Sequence, residues 1–173
     1  IVDSTGRHTP SLSSTGTRGI ISNKLELNGG GFIRADAQNA TSSDFDFSTG
    51  DWSVECDAFV TSDGAYFWNK SDVDGVVGLA LRLPFNSSRI ILQNSVAASI
   101  LLYDSPTSLL NTQLNLKVQR IAGRVALSIN NTEVVSSTGT LGSIGGNGMI
   151  IGNSGGGSSA LATTIDDFIV RKS

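Results

Sequence analysis

Three observations predict an all-β chain folded as a two-sheet antiparallel β-sandwich of the jelly-roll kind. Short apolar-rich runs recur along the sequence, each bounded by Gly, Asn, Asp, Ser or Pro. Several of them alternate apolar and polar residues with the period of two that a half-buried strand requires. No stretch of ten or more residues holds the 3.6-residue apolar period of an amphipathic helix.

The elements follow in chain order. Residues 1–18, IVDSTGRHTPSLSSTGTR, are rich in Ser, Thr and Gly without a sustained period, so they read as a lead-in or linker to one domain over residues 19–173. GIIS, KLELN and GFIRA are short strand-like runs, with Asn28-Gly29-Gly30 as a tight bend between the last two. In DWSVECDAFV, Trp52, Val54, Cys56, Ala58 and Val60 share one face, and Ser53, Glu55 and Asp57 share the other. The preceding DFDFSTG supplies Phe45 and Phe47 to plug one end of the sandwich and Ser48 to Asp51 as the turn into that strand.

AYFWNK (65–70), GLALRLP (78–84), SRIILQN (88–94) and ASILLYD (98–104) are further strands, with Pro84 and Pro106 at run ends where a missing N–H costs no ladder bond. Residues 114–137 read as a meander. Its strands carry Leu114, Leu116 and Val118, then Val125, Leu127 and Ile129, then Val134 and Val135, and its turns fall at Ala122-Gly123 and Asn130-Asn131. After the glycine-dense LGSIGGNGMIIGNSGGG, the closing ATTIDDFIVRKS places Ile165, Phe168 and Val170 on a last strand with an irregularity near Asp166-Asp167. A dozen such strands call for two facing sheets.

Bulk properties narrow the function. A chain of 173 residues fits one domain that buries roughly 70% of its unfolded surface, enough for a core without metal or disulfide staples. Its 12 basic residues are scattered and the net charge is −3, so no basic stripe awaits a nucleic-acid backbone. No apolar run approaches the roughly 20 residues that span a bilayer as a helix, and membrane insertion is not expected. The first residue is Ile1 and no signal peptide is legible, which fits a processed product or a domain excised from a longer chain. Cys56 is the lone cysteine and is read as core; the single histidine, His8, lies in the polar lead-in with no fixed relation to it.

The order of DFDFSTGDWSVECDAFV, LNLKVQRIAGRVALSINNTEVVSS, MIIGNSGGG and TTIDDFIVRK closely resembles the laminin G-like, concanavalin A-like lectin/glucanase superfamily over about residues 19–172. Asn130-Asn131 stands where that family often has Asn-Gly, a tolerable exchange because Asn enters the left-handed region. SSDFDFSTGDWSVE and DSTGRHTP are similar to domains of bacteriophage tail and virion proteins. The resemblance implies a concanavalin A-like sandwich on a virion surface, or a secreted one. Its role would be non-catalytic adhesion to a host cell-surface carbohydrate or receptor. Other virion subunits, and further copies of the chain in a homo-oligomer, are the remaining partners it implies. The rivals are a decoration or spacer domain that binds no sugar, and a glycan-active enzyme.

The superfamily's glucanases carry a Glu-x-Asp-x-x-Glu motif, because retaining hydrolysis needs two carboxylates about 5 Å apart. Here the glutamates are Glu26, Glu55 and Glu133, and Glu55-Cys56-Asp57 lacks the third acid, so an enzyme is not expected. No Gly-x-Ser-x-Gly elbow is present. The resemblance also implies one structural calcium. Its donors would be Asp166 and Asp167, or Asp72 and Asp74 beside Asn69; the competing readings are an amide-capping Asp166 and a solvated turn at residues 72–75. For sugar binding, Tyr66 and Trp68 offer a platform if they share an outer face, with Asn69, Lys70, Arg82, Gln93 and Asn94 as hydrogen-bonding neighbours. The competing reading is packing in the core, either of Phe67 or of the Tyr66/Trp68 pair, since large aromatics are usually spent on packing. Asn-x-Ser/Thr sites at Asn39, Asn69, Asn86 and Asn130 matter only if the source is eukaryotic and secreted.

Overall fold

The computed structural model describes residues 10–12, 17–21, 24–28, 33–35, 47, 49–71, 77–94, 98–139, 141, 148–152 and 163–172. Among them run fourteen strands and no helix. They are β1 (Pro10–Leu12), β2 (Thr17–Ile21), β3 (Lys24–Asn28), β4 (Ile33–Ala35), β5 (Trp52–Val60), β6 (Tyr66–Ser71) and β7 (Val77–Arg82), followed by β8 (Arg89–Asn94), β9 (Ala98–Asp104), β10 (Gln113–Ile121), β11 (Arg124–Ile129), β12 (Thr132–Ser137), β13 (Gly148–Ile151) and β14 (Thr163–Lys172). The first sheet has the order β1-β4-β13-β6-β7-β8-β9 and the second β12-β11-β10-β5-β14-β3-β2. Every pairing is antiparallel. The all-β, two-sheet expectation holds.

Alternation in β5 is carried through all nine residues: Trp52, Val54, Cys56, Ala58 and Val60 are buried, and the residues between them are half-buried. From the same sheet Leu114, Leu116, Val118, Val125, Leu127 and Ile165 join the core. Phe67, Trp68, Leu79, Leu81, Leu83, Ile90, Leu92 and Leu101 meet them from the facing sheet. Burying one such aliphatic side chain stabilises the fold by about 1.5–3 kcal/mol, so this layer is the main source of cohesion. The meander turns sit where the sequence places them, with positive φ at Ala122 and Gly123 and at Asn130 and Asn131.

Two local features differ from, or refine, the sequence reading. Pro10–Leu12 lies inside the segment read as a lead-in, yet it pairs with β4 as an edge strand of the first sheet, so the sheets begin before residue 19. An edge position tolerates Pro10, and a strand of three residues is too short to show a period. At the other end of the chain, β14 shifts register against β5 between Asp166 and Ile169, with Asp167 at φ 48°. That bulge is the irregularity expected near Asp166-Asp167.

Cys56 is fully buried between the sheets. Burial first, then the neighbouring Asp57 and Glu55 carboxylates, push its thiol up to about 12. Such a thiol is a packing group and not a nucleophile at neutral pH.

Candidate functional site

Register and alternation together identify which side chains face away from the core on the first sheet. Ala80 lies between core residues Leu79 and Leu81, Ile91 between Ile90 and Leu92, and Ile150 between Met149 and Ile151, so all three point outward. Cross-strand partners share that face. One row therefore reads Ile150, Asn69, Ala80, Gln93, and the next reads Tyr66, Arg82, Ile91, Leu102.

Tyr66 and Arg82 are directly paired across β6 and β7. An Arg82 Nη1 hydrogen bond reaches the Tyr66 hydroxyl at 3.3 Å, and the guanidinium carbon stands 5.6 Å from the ring centroid. The two groups brace each other through a hydrogen bond and a cation–π contact. Asn69, Gln93 and Tyr66 are buried on this outer face, whereas Arg82 keeps part of its surface open and Ser99 and Leu102 are exposed toward β9. Ala80, Ile91 and Ile150 are buried there too, so the face mixes polar and apolar groups and opens at Arg82 and, on β9, at Ser99 and Leu102.

The same register corrects two of the expected sugar-binding residues. Pairing of β6 with β7 shifts between Tyr66 and Trp68, because Phe67 is an extra residue opposite Arg82 and Leu81. The bulge breaks the period of two, so Tyr66 faces outward while Phe67 and Trp68 both enter the core. Tyr66 and Trp68 do not share a face, and Trp68, fully buried, presents no platform to a ligand. Lys70 lies in the row of Leu79 and Met149 and also turns inward, its Nζ 5.7 Å from the Phe47 ring centroid. Of the six expected ligand-binding residues, the fold gathers Tyr66, Asn69, Arg82 and Gln93 on one face and sends Trp68 and Lys70 to the other. Asn94 lies at the end of β8 and donates from its side-chain amide to the Leu141 main-chain oxygen.

An aromatic that the sequence reading passed over stands at the rim of this face. Beyond the Tyr66–Arg82 pair the ladder continues with Leu83 N–H to Ala65 O at 2.7 Å and Gly64 N–H to Pro84 O at 3.2 Å. Phe85 follows on the connecting loop and is 87% exposed. A Cβ on Gly64, whose φ is +82°, would sit only 3.0 Å from its Cε1, so the ring lies against the glycine backbone. Main-chain bonds from Asn86 N–H to Pro84 O (2.6 Å) and Arg89 N–H to Asn86 O (3.1 Å) tie the loop down, as does Leu109 N–H to Ser87 O (2.7 Å). Asn86 Oδ1 accepts from Ser88 N–H at 3.1 Å and from its hydroxyl at 2.9 Å. The available signal was an aromatic between Pro84 and Asn86: a turn that holds a large apolar side chain has no strand to bury it.

Elsewhere the chemistry is committed to structure. Asp166 Oδ1 accepts the Asp167 N–H at 3.0 Å across the bulge, the amide-capping arrangement. Among the described residues no three His, Cys, Asp or Glu side chains gather as a metal cluster; Asp72 and Asp74 lie outside the described residues. Glu55 and Asp57 both face outward on the second sheet. Arg171 binds Glu55 at 3.4 Å, and Asn115 Nδ2 donates to Asp57 at 2.8 Å. A shallow hollow of about 300 Å³ at the end of that sheet is lined by Asp51, Trp52, Arg120, Ile121, Arg171 and Lys172. Its arginines already have partners, since Arg120 donates to the Gly50 main-chain oxygen and Arg171 holds Glu55.

The sequence matches no protein-family model and no curated protein. Solved structures share the fold. A mutant of Trypanosoma rangeli sialidase displaying trans-sialidase activity superimposes with a TM-score of 0.70 at 14% identity, covering 95% of this chain and 27% of the sialidase chain. The botulinum neurotoxin serotype G binding domain gives 0.70 at 15% identity, covering 99% of this chain and 45% of the other. The carbohydrate binding module CBM66 from Bacillus subtilis gives 0.61 at 16% identity, covering 96% and 95% of the two chains. This chain thus spans about a quarter of the sialidase and under half of the toxin chain, and nearly all of the carbohydrate binding module.

Proposed function

We propose that the protein is a non-catalytic glycan-binding module that recognises its ligand at the outer face of the first sheet, from the Tyr66–Arg82 pair to the rim at Phe85. The observation that carries this reading is the outward Tyr66–Arg82 couple, a braced polar group on the side of the sheet away from the core, with an exposed aromatic at the end of the same two strands. Sugar rings are bound by such a combination: an aromatic face for the C–H groups and fixed hydrogen-bonding groups for the hydroxyls. Rigid strands and a hydrogen-bonded loop keep the ordering cost of binding low. The likeness in fold and length to a carbohydrate binding module supports the reading.

A non-catalytic role is supported by the engagement of Glu55 and Asp57 with Arg171 and Asn115, which leaves neither carboxylate poised for acid–base work. The resemblance of SSDFDFSTGDWSVE to tail and virion domains supports a place on a virion surface, with a host-surface glycan or receptor as the target. Binding of the purified protein to a glycan array and to whole cells tests the reading. Binding should be weakened by Phe85→Ala and by Tyr66→Ala in protein whose far-ultraviolet circular dichroism and cooperative thermal melting are retained. Trp68→Ala is unsuitable as a probe, because it empties the core. Failure to bind any polysaccharide or cell would leave a spacer domain as the better description.

A further inference from the structure

We infer that the ligand is an acidic saccharide whose carboxylate is taken by Arg82. This rests on the glycan-binding reading and names the substrate class. Among the described residues, Arg89 is bound in bidentate fashion by Asp104 at 2.6 and 2.9 Å, Arg124 is paired with Glu133, and Arg171 is paired with Glu55. Arg120 donates to the Gly50 main-chain oxygen at the end of the opposite sheet. Arg82 differs from all of them. Its hydrogen-bond partner is the neutral Tyr66 hydroxyl, its Nε is buried without a hydrogen-bond partner, and among the described residues no carboxylate pairs with it.

A guanidinium partly withdrawn from water normally acquires a counter-charge, because its desolvation is only weakly offset by a neutral phenol. Its neighbours in the two outward rows, Tyr66, Ile91, Ala80, Gln93 and Asn69, carry no charge to supply one. The fork of N–H groups matches the planar oxygen pair of a carboxylate, and a desolvated ion pair of that kind is stronger than a bond to a sugar hydroxyl. A protein of net charge −3 repels anions in general, so an arginine with no carboxylate partner among the described residues confers local selectivity. The face is therefore built for a uronate or sialate residue whose ring extends toward the rim.

The test compares matched ligands by titration calorimetry: sialyllactose with lactose, a polyuronate oligosaccharide with its carboxyl-reduced form, and a sulfated oligosaccharide. At least one carboxylate ligand should bind ten-fold or more tightly than its neutral counterpart, with affinity falling as salt rises. Arg82→Gln should collapse that ratio, Arg82→Lys should keep part of it, and Arg171→Gln on the opposite sheet should leave it as it is. Equal affinity for acidic and neutral members, an unchanged ratio in Arg82→Gln, or binding of the sulfated ligand alone overturns the inference while glycan binding stands. Absence of binding to every member overturns both.

Discussion

Trp52 donates its indole N–H to the main-chain oxygen of Phe47 at 3.0 Å while the two rings pack 4.8 Å apart at 33°. Phe47 also meets Trp68 edge-on at 6.4 Å, so the short segment ahead of β5 closes one end of the sandwich by joining both sheets. The turn before β5 serves this contact: it brings Phe47 back over the first residue of the strand that follows.

The two tryptophans should respond differently to replacement by phenylalanine. Trp52→Phe leaves the Phe47 oxygen buried without its donor, whereas Trp68→Phe removes an indole N–H that has no hydrogen-bond partner. Both lose packing, but Trp52→Phe should cost about 1–3 kcal/mol more. Urea denaturation followed by circular dichroism measures the difference; equal losses would mean that the indole bond contributes nothing.

Stability should fall at alkaline pH through Cys56. The unfolded thiol ionises near 9.0 and the folded one near about 12, so between those values the unfolded chain has lost a proton that the folded chain retains. Unfolding is then favoured as pH rises, by up to about 1.4 kcal/mol per pH unit, and the contribution is fully present below pH 9. Comparing the pH dependence of chemical denaturation between the native chain and Cys56→Ala isolates this slope from that of other groups. A slope unaltered by Cys56→Ala would be the contrary result.

Gly64 and Gly123 both sit at φ near +80°, but a Cβ at Gly123 meets nothing within 4 Å while one at Gly64 strikes the Phe85 ring. Gly64→Ala and Gly123→Ala should each cost about 1–2 kcal/mol for the left-handed backbone. Phe85 is exposed and free to swing, so the clash should appear in glycan affinity and not in stability. Retained affinity in Gly64→Ala would show that the ring position is immaterial to binding.

Asp166 should act as a cap. Asp166→Ala should lower stability by about 0.5–1.5 kcal/mol, through loss of the Asp167 N–H acceptor at the bulge. The loss should be the same in calcium and in EDTA, read by thermal melting. A loss confined to calcium would make Asp166 a ligand.

The sequence by itself determined the layers. In β5 the run from Trp52 to Val60 has one apolar residue at every second position, and a period of two permits a single burial pattern once one face is covered. The same logic made Cys56 a core residue, set the meander of β10 to β12, and marked the irregularity at Asp166-Asp167. It failed in β6, where AYFWNK contains no polar residue before Asn69 to reveal which way each ring points. There the tertiary structure decided: the register against β7 inserts Phe67 as an extra residue, turning Trp68 and Lys70 inward and leaving Tyr66 beside Arg82. Partnership across strands was likewise invisible. Arg82, Arg89 and Arg124 look alike in the chain, and only pairing with Asp104 and Glu133 separates the two compensated guanidinium groups from the one left facing a neutral phenol. Alternation is a local property of the backbone and can be read residue by residue; register and charge compensation join distant segments, so folding alone assigns them.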